Sequence, residues 1–410
     1  MKVRFPNMKK KNKKWVRRRH NLVRNIVNLF LYPYSRIKYG LRVEKLKEGR
    51  DRQYLVLYNH QTAFDQFFVG MPFKKVLYYV ASEDLFSNGF VSKLIKFLVN
   101  PIPIKKQSTD VRAIMTCIKV ASEGGSIAIA PEGNRTYSGK TEYMNPAIAP
   151  LARKLGLPIA FVRIEGGYGT HPRWSDVVRK GRTACRVSRI MEPSEYAELT
   201  DGELCELIRS ELYVNEAKAD ATFSHKKRAE YLERAIYVCP ECSLSTFESK
   251  GDTITCKRCG LAVKYTEKKE LISQNPNFSF GFVSDWYDYQ KKEILSLDLE
   301  PYYEKPLYTE HSSVREVIPY TKKLSVYKNA EISLYANKIV AKEDGSVTEF
   351  LFDDASSLAV LGKNKLNLYI GKRIFQLKSD KRFNALKYVH IFYRYKQIKK
   401  GDNNGEFLGL

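Results

Sequence analysis

Acidic residues are scarce for the number of cations in this sequence. Across 410 residues, 70 Lys and Arg face 45 Asp and Glu, a formal net charge of +25. Such an excess excludes a self-neutralised surface and calls for an anionic partner, either nucleic acid or the anionic face of a membrane. Long apolar runs are missing too. No stretch of eighteen or more apolar residues occurs, so a membrane-spanning helix is not expected. The longest uncharged stretch near the N-terminus, Asn25 to Ser35, is short and carries Pro33. No small-residue cleavage site follows its apolar part, so it does not read as a signal peptide. Cysteine is sparse: four of seven form a metal pattern, and Cys117, Cys185 and Cys205 are scattered. That usage fits a reducing, cytoplasmic compartment better than a disulfide framework. What remains is a folded composition, 43% hydrophobic and 12% aromatic, with length for two or three domains.

The first 24 residues carry eleven Lys or Arg and no acid. Just downstream, Val23, Ile26, Val27 and Phe30 fall at helical spacing, with Leu22 and Leu29 beside them and Arg17, Arg18, Arg19 and Arg24 flanking. A basic helix with one apolar face is suited to a membrane interface, with Trp15, Tyr32 and Tyr34 at headgroup level. The bland alternative is a helix whose apolar stripe packs on the next domain. Residues 1–40 are therefore read as a basic, membrane-facing arm.

From about residue 40 strands and helices alternate. Strands are expected at Gln53–Tyr58, Val76–Ala81, Ser126–Ala130, Pro158–Ile164 and Arg182–Ile190. Val111, Ile114, Met115 and Ile118 mark a helix that Gly124-Gly125 stops, and Asn145-Pro146 to Gly156 marks another. Residues 194 to about 218 read as helical. This order implies an α/β domain over 41–218, a mostly parallel sheet flanked by helices.

Two stretches sit at strand ends. Asn59-His60-Gln61-Thr62-Ala63-Phe64-Asp65 follows the first strand, and Pro131-Glu132-Gly133-Asn134-Arg135-Thr136 follows Ser126–Ala130. Ligands of open α/β sheets bind at the carboxyl ends of strands. His60 beside a carboxylate can act as a general base whose tautomer Asp65 fixes. Arg135 offers a planar fork for phosphate, and Gly133 lets the chain turn close to a ligand. Alone, either stretch is more often structural; in order, and at two strand ends, they point to one crevice.

His-x4-Asp followed by Pro-Glu-Gly-x-Arg-Thr resembles the glycerolipid acyltransferases, in particular 1-acyl-sn-glycerol-3-phosphate (lysophosphatidate) acyltransferases. The resemblance spans roughly residues 40 to 200. Asn100-Pro101-Ile102-Pro103-Ile104-Lys105-Lys106 and Leu157-Pro158-Ile159-Ala160-Phe161-Val162 resemble two further blocks of that family. The chain departs from the family at Asn134, where Thr is usual, and at Lys105 or Lys106, where Arg is usual. The resemblance implies acyl transfer from an acyl-CoA or acyl-carrier-protein thioester to a lysophospholipid hydroxyl. His60 and Asp65 would be catalytic; Glu132, Gly133, Asn134, Arg135, Lys105 and Lys106 would bind the glycerol phosphate. Glu132 either hydrogen-bonds the glycerol or pairs with Arg135, and backbone N–H groups near Gly133 are candidates for the oxyanion. His20, His171, His225, His311 and His390 lack comparable context and read as structural or surface residues.

Cys239-Pro240-Glu241-Cys242 and Cys256-Lys257-Arg258-Cys259 form two CxxC knuckles thirteen residues apart. Cys239, Cys242, Cys256 and Cys259 read as the four thiolate ligands of a structural zinc in a ribbon over 237–262; redox pairs are the lesser reading. So short a segment buries little core, so the metal would supply much of its folding free energy. The flanking stretches, 219–236, polar, charged and read as helical, and 263–315, are read as linkers. From 316 to 400, alternating pairs such as Leu324/Val326, Ile332/Leu334 and Leu366/Leu368, separated by turns, end in a helical stripe Phe383, Leu386, Val389, Tyr393. This reads as a small antiparallel β barrel-like domain closed by a helix, resembling a pleckstrin-homology domain. The expected protein is a peripheral enzyme on the cytoplasmic face of a membrane. A zinc-ribbon nucleic-acid-binding protein and a non-catalytic membrane scaffold are the alternatives.

Overall fold

The computed structural model describes residues 14–87, 89–104, 110–318 and 321–401. The chain opens with α1 (Arg18–Tyr39) and continues through β1 (Leu41–Val43), β2 (Leu55–Tyr58), α2 (Asp65–Gly70), β3 (Leu77–Ser82), α3 (Phe90–Leu98) and β4 (Ile102–Ile104). Then follow α4 (Val111–Ser122), β5 (Ser126–Ile129), α5 (Ile148–Leu155), β6 (Ile159–Glu165), α6 (Gly167–Thr170), β7 (Thr183–Met191), α7 (Pro193–Tyr196) and α8 (Asp201–Leu212). The seven strands form one sheet in the order β1-β7-β6-β2-β5-β3-β4. All neighbours run parallel except β6 and β7. The expected α/β architecture is present, and the five expected strands appear within two residues of their expected limits.

Why the sheet is covered on both faces follows from its strands. Leu55, Leu57, Tyr78, Ile127, Ile159 and Phe161 share one apolar cluster with residues of α4, α5 and α8. Tyr54, Val56, Tyr58, Leu77, Ala128, Ala160 and Val162 share another with Tyr39 of α1 and with Phe68 and Val69 of α2. Successive residues point to opposite faces, so strands that are apolar throughout need cover on each side. The continuous stretch expected to be helical after Ser194 is broken at residues 197–200, where Thr200 and Glu203 form a capping box that restarts the chain as α8. Asn145 accepts from Ala147 N through its side chain, and α5 begins only at Ile148, two residues later than the Asn-Pro signal places it.

α1 is docked, yet its apolar stripe is not. His20 Nδ1 lies 2.9 Å from the Tyr78 hydroxyl, and Asn21 Oδ1 accepts from Val76 N at 2.8 Å. Arg24 caps the Gly70 and Phe73 carbonyls. Leu22, Ile26, Leu29, Phe30 and Ile37 stay exposed, as do Phe90, Val91, Leu94 and Phe97 of the neighbouring α3. Among the described residues no helix is long and apolar enough to cross a membrane.

After residue 212 the chain is not helical through 219–236; turns and one short 3-10 segment, Leu232–Arg234, carry it to the cysteine knuckles. There β8 (Val238–Cys239) pairs β9 (Ser243–Leu244), and β10 (Phe247–Lys250), β11 (Thr253–Cys256), β12 (Ala262–Tyr265) and β13 (Leu271–Ile272) form a four-stranded antiparallel sheet. The stretch 263–315 is more than a linker. It holds α9 (Val283–Ser296), whose Val283, Trp286, Tyr287, Gln290 and Ile294 are buried, and the start of β14 (Tyr308–Ile318). With β15 (Lys322–Leu334), β16 (Lys338–Glu343), β17 (Ser346–Leu351), β18 (Ala355–Leu361), β19 (Lys365–Ile370) and β20 (Arg373–Lys378), β14 makes a seven-stranded antiparallel sheet. α10 (Leu386–Lys400) packs against β18 and α9. One apolar cluster joins this sheet, α9, α10 and the knuckles to Tyr137 and Trp174 of the α/β domain.

Candidate active site

β2 delivers Asn59 and His60 to the carboxyl end of the sheet. Asn59, fully buried, donates to the Ile164 carbonyl and accepts from Ile164 N, both at 2.8 Å, so the exit of β2 is clamped to β6. His60 follows with its ring partly exposed, 22%, and edge-on to Tyr58 at 5.9 Å. Its Nδ1 lies 2.7 Å from Asp65 Oδ2.

Asp65 is the first residue of α2 and is fully buried. Its Oδ2 also accepts from Gln61 N at 2.6 Å and Thr62 N at 2.9 Å, and Oδ1 accepts from Thr62 Oγ1 at 2.7 Å. Donors surround this carboxylate, so it serves as an acceptor and His60 Nδ1 must be the donor. The basic lone pair of the imidazole then resides on Nε2. The spacing of the motif builds this arrangement: the turn 60–65 folds two backbone N–H groups and one hydroxyl back on the carboxylate that opens the helix.

The second stretch is tied to the first by the backbone. His60 N donates to Glu132 Oε1 at 2.8 Å, and Thr136 N donates to the His60 carbonyl at 3.2 Å. These two bonds hold the stretches side by side at the carboxyl end of the sheet. Glu132, read as a glycerol ligand or a partner of Arg135, here holds the His60 backbone. Burial pushes its carboxyl up to about 8, against the pull of the His60 N–H, with Asp65 and Glu142 adding to the rise. Gly133 turns the chain at φ +68° with open space where a Cβ would stand, so its backbone angle, not crowding, requires glycine. Its N–H is taken by the Ala130 carbonyl at 3.0 Å, which removes it from the oxyanion candidates. Asn134 and Arg135 are half-buried beside it. Burial, then the nearby Arg173, lowers the Arg135 guanidinium to about 10, and its Nη1 is buried with no hydrogen-bond partner among the described residues. Lys105 and Lys106 lie outside the described residues.

The wall beyond Arg135 comes from the C-terminal half. A small cavity of about 30 Å³ is lined by Glu132, Asn134 and Arg135 on one side and by Tyr287, Lys291 and His390 of α9 and α10 on the other. Arg173, 1% exposed, donates from Nη1 to the Arg135 carbonyl at 2.9 Å. Asn59, Thr62 and Arg173 were not among the residues singled out in the sequence. The first two lie inside the motif as polar neighbours of His60; Arg173 carries no local signal.

The four expected metal ligands do converge. All four Sγ atoms of Cys239, Cys242, Cys256 and Cys259 lie within 4.8 Å of one another. Cys239 and Cys259 are 3.5 Å apart, and Cys242 and Cys256 3.6 Å. Tetrahedral zinc with Zn–S bonds of about 2.3 Å needs S–S edges of about 3.8 Å, so the residues fit the ion. Backbone N–H groups of Glu241 and Cys242 face Cys239 Sγ, and those of Arg258 and Cys259 face Cys256 Sγ, as thiolates require. Four thiolates leave no open coordination position, so the role would be structural.

Residues 40–165 match the family model described as Acyltransferase. The expectation of an acyltransferase domain is borne out over that stretch, which is less than a third of the 410-residue chain. No curated protein matches. Among solved structures, the 1-acyl-sn-glycerophosphate (LPA) acyltransferase PlsC from Thermotoga maritima is 22% identical, covering 48% of this chain and 80% of that one, with a TM-score of 0.39. The N-terminal PH domain of human ARAP2 is 13% identical, covering 24% of this chain and 87% of that one, with a TM-score of 0.19.

Proposed function

We propose that this chain transfers an acyl group from a thioester, acyl-CoA or acyl-carrier protein, to the hydroxyl of a lysophospholipid. 1-Acyl-sn-glycerol-3-phosphate, giving phosphatidate, is the acceptor we favour. One observation carries the reading: His60 Nδ1 sits 2.7 Å from a fully buried Asp65, at a strand end whose backbone is bonded to the stretch bearing Arg135. His60 Nε2 takes the proton of the acceptor hydroxyl as its oxygen attacks the thioester carbonyl. Asp65 stabilises the imidazolium that forms. The C–S bond then breaks, and the departing thiolate recovers the proton from the imidazolium. Arg135 binds the acceptor phosphate through charged, paired hydrogen bonds. The zinc ribbon is structural.

The reaction takes place at an anionic membrane surface, cytoplasmic and peripheral. Two features support this. Exposed apolar side chains of α1 and α3 adjoin one another, and patches of this kind mark interaction surfaces. α1 also carries Arg18, Arg19, Arg24, Arg36 and Lys38 and no acid. In the ribbon, by contrast, Lys257 pairs with Glu248 at 3.0 Å and Lys264 approaches Asp252 at 3.8 Å. A nucleic-acid surface over the ribbon is therefore disfavoured.

The test is a labelled acyl thioester offered to a panel of lysolipids, with wild type and His60→Ala compared. We expect labelled phosphatidate from wild type and a loss of about 10²–10⁴-fold in kcat for the variant. The variant should stay folded with at most a modest fall in melting temperature, because Asp65 keeps three other donors. Full activity in the variant, or sedimentation with duplex DNA but not with anionic vesicles at physiological salt, would sink the reading.

A further inference from the structure

Arg135 is not the only cation withdrawn from water at this end of the molecule. Arg173 donates Nε to the Gly362 carbonyl at 2.8 Å and Nη2 to the Val360 carbonyl at 3.0 Å, besides its bond to the Arg135 carbonyl. The Tyr137 hydroxyl donates to the Lys363 carbonyl at 2.6 Å. The turn between β18 and β19 is thus locked onto the stretch that follows Gly133. This ties the backbone of Lys363 to Tyr137 and that of Gly362 to Arg173, which also holds the Arg135 carbonyl. Burial, and then the competing charges of Arg234 and Arg135, oppose the pairing of Lys363 with Asp176, and the ammonium lies below its ordinary range. Lys363 Nζ is 3.0 Å from Asp176 Oδ1 and 3.5 Å from His171 Nε2. His171 is neutral: burial, then Lys363 and Arg135, lowers its imidazolium to about 3.

The charges here do not balance. Among the described residues, Arg135 and Arg173 have no carboxylate within ion-pair distance, and Asp176 is shared between Lys363 at 3.0 Å and Arg234 at 2.8 Å. Arg173 donates to three carbonyls, which take three of its five N–H hydrogens but do not offset its charge. Withdrawn cations are stable only when paired, and a donor with no acceptor adds its own desolvation cost. Arg135 Nη1 is such a donor. An anion rich in acceptors meets both needs, and a phosphate monoester has up to two charges and three terminal oxygens. An ammonium has three hydrogens, so Lys363 can keep Asp176 and bind an oxygen as well.

We propose that Lys363, carried by the β18–β19 turn, is a second cation for the acceptor's phosphate monoester, acting with Arg135, so that the C-terminal β domain takes part in choosing the acceptor. The proposal rests on the acyl-transfer reading above. It is tested on the full chain with lysophosphatidate and with a monoacylglycerol of the same acyl chain, which lacks the phosphate. Lys363→Ala should raise KM for lysophosphatidate roughly tenfold to a hundredfold, the range for one charged hydrogen bond, with little change in kcat. KM for the monoacylglycerol should be unaffected, and Lys363→Arg should restore most of the loss. Asp176→Asn removes the ion pair but leaves the ammonium, and should not raise KM. An unchanged KM in Lys363→Ala, an equal rise for both acceptors, or an equal rise in Asp176→Asn overturns the proposal.

A second readout does not need turnover. Glycerol 3-phosphate should raise the melting temperature of wild type and not of Lys363→Ala. No such difference overturns the proposal even if the enzyme is active. If inorganic phosphate gives the same shift while KM for lysophosphatidate is unmoved by the substitution, the site serves free phosphate and the proposal also fails. A wild type that transfers to no lysophospholipid, yet shows the glycerol 3-phosphate shift, refutes the acyl-transfer reading and leaves the anion site standing.

Discussion

The histidine end and the arginine end of the two joined stretches treat charge in opposite ways. At the histidine end, one carboxylate, Asp65, receives four hydrogen bonds and is held in a single pose. At the arginine end, among the described residues, Arg135, Arg173, Arg234 and Lys363 have one carboxylate, Asp176, which only Lys363 and Arg234 reach. Carbonyls and rings supply the rest: Arg173 lies 4.3 Å over the Tyr137 ring, and it donates three hydrogen bonds to main-chain oxygens. A saturated anion makes a fixed part of the machinery, because nothing arriving can improve its bonding. Cations short of anions make a receptive surface, because an arriving anion improves theirs. The first end suits proton transfer, which needs orientation. The second suits capture of a headgroup.

Removing the metal should disturb the receptive end most. Structural zinc contributes about 10–16 kcal/mol in isolated peptides, comparable with the whole stability of a domain. The knuckles share a core with Trp286, Trp174 and Tyr137, so loosening them loosens the floor beneath Arg135. Chelation should release zinc, lower the melting temperature and abolish binding of glycerol 3-phosphate. A chelated protein with an unchanged melting curve would show that the four cysteines are not a structural zinc site.

A smaller effect should come from the saturated end. Asn59→Ala deletes two buried bonds to Ile164 and leaves both backbone groups without that partner. The cost should be about 1–3 kcal/mol by denaturant titration, with kcat falling more than KM rises because the exit of β2 carries His60. A rise in KM alone would mean that the two ends are not mechanically separate.

The smallest effect is a pH dependence where the two ends join. Glu132, raised from its ordinary 4.5 to about 8, keeps in the folded protein a proton that the unfolded chain has lost between those values. Its contribution to stability is therefore complete at low pH and is lost as pH rises through about 8. Glu132→Gln cannot ionise and should flatten the decline in melting temperature over that window. Glu216, raised to about 7, titrates in both proteins, so the difference between the two curves is the measurement. Parallel curves would refute the assignment.

Much of the saturated end was legible in the sequence, and little of the receptive end. His60 and Asp65 lie five residues apart at the close of an apolar run, so the chain itself brings them together. The cysteine knuckles are equally local. β1 and β4 escaped notice because three residues are too few to show a period. α9 escaped because its buried face, Val283, Trp286, Tyr287, Gln290 and Ile294, has helical spacing but mixes an amide and a tyrosine with the apolar residues. Arg173 and Lys363 had no local signal: their neighbours are set by the docking of a sheet from far along the chain. The basic stripe of α1 read correctly as a helix, and its burial was divided in a way no period reveals. His20, Ser35 and Tyr39 go inward while Leu29 and Ile37 stay exposed.

Arg173 also has a bearing on when the protein matures. Two of its hydrogen-bond acceptors, Val360 and Gly362, lie 187 and 189 positions further along the chain. At about 5–20 residues per second, a ribosome needs roughly 10–40 s to make that interval. Until then the histidine and aspartate can already be paired, while the guanidinium that supports Arg135 still depends on water. A nascent chain can therefore form the His60–Asp65 pair before the contacts that support Arg135, and the proposed headgroup site would be completed late in synthesis.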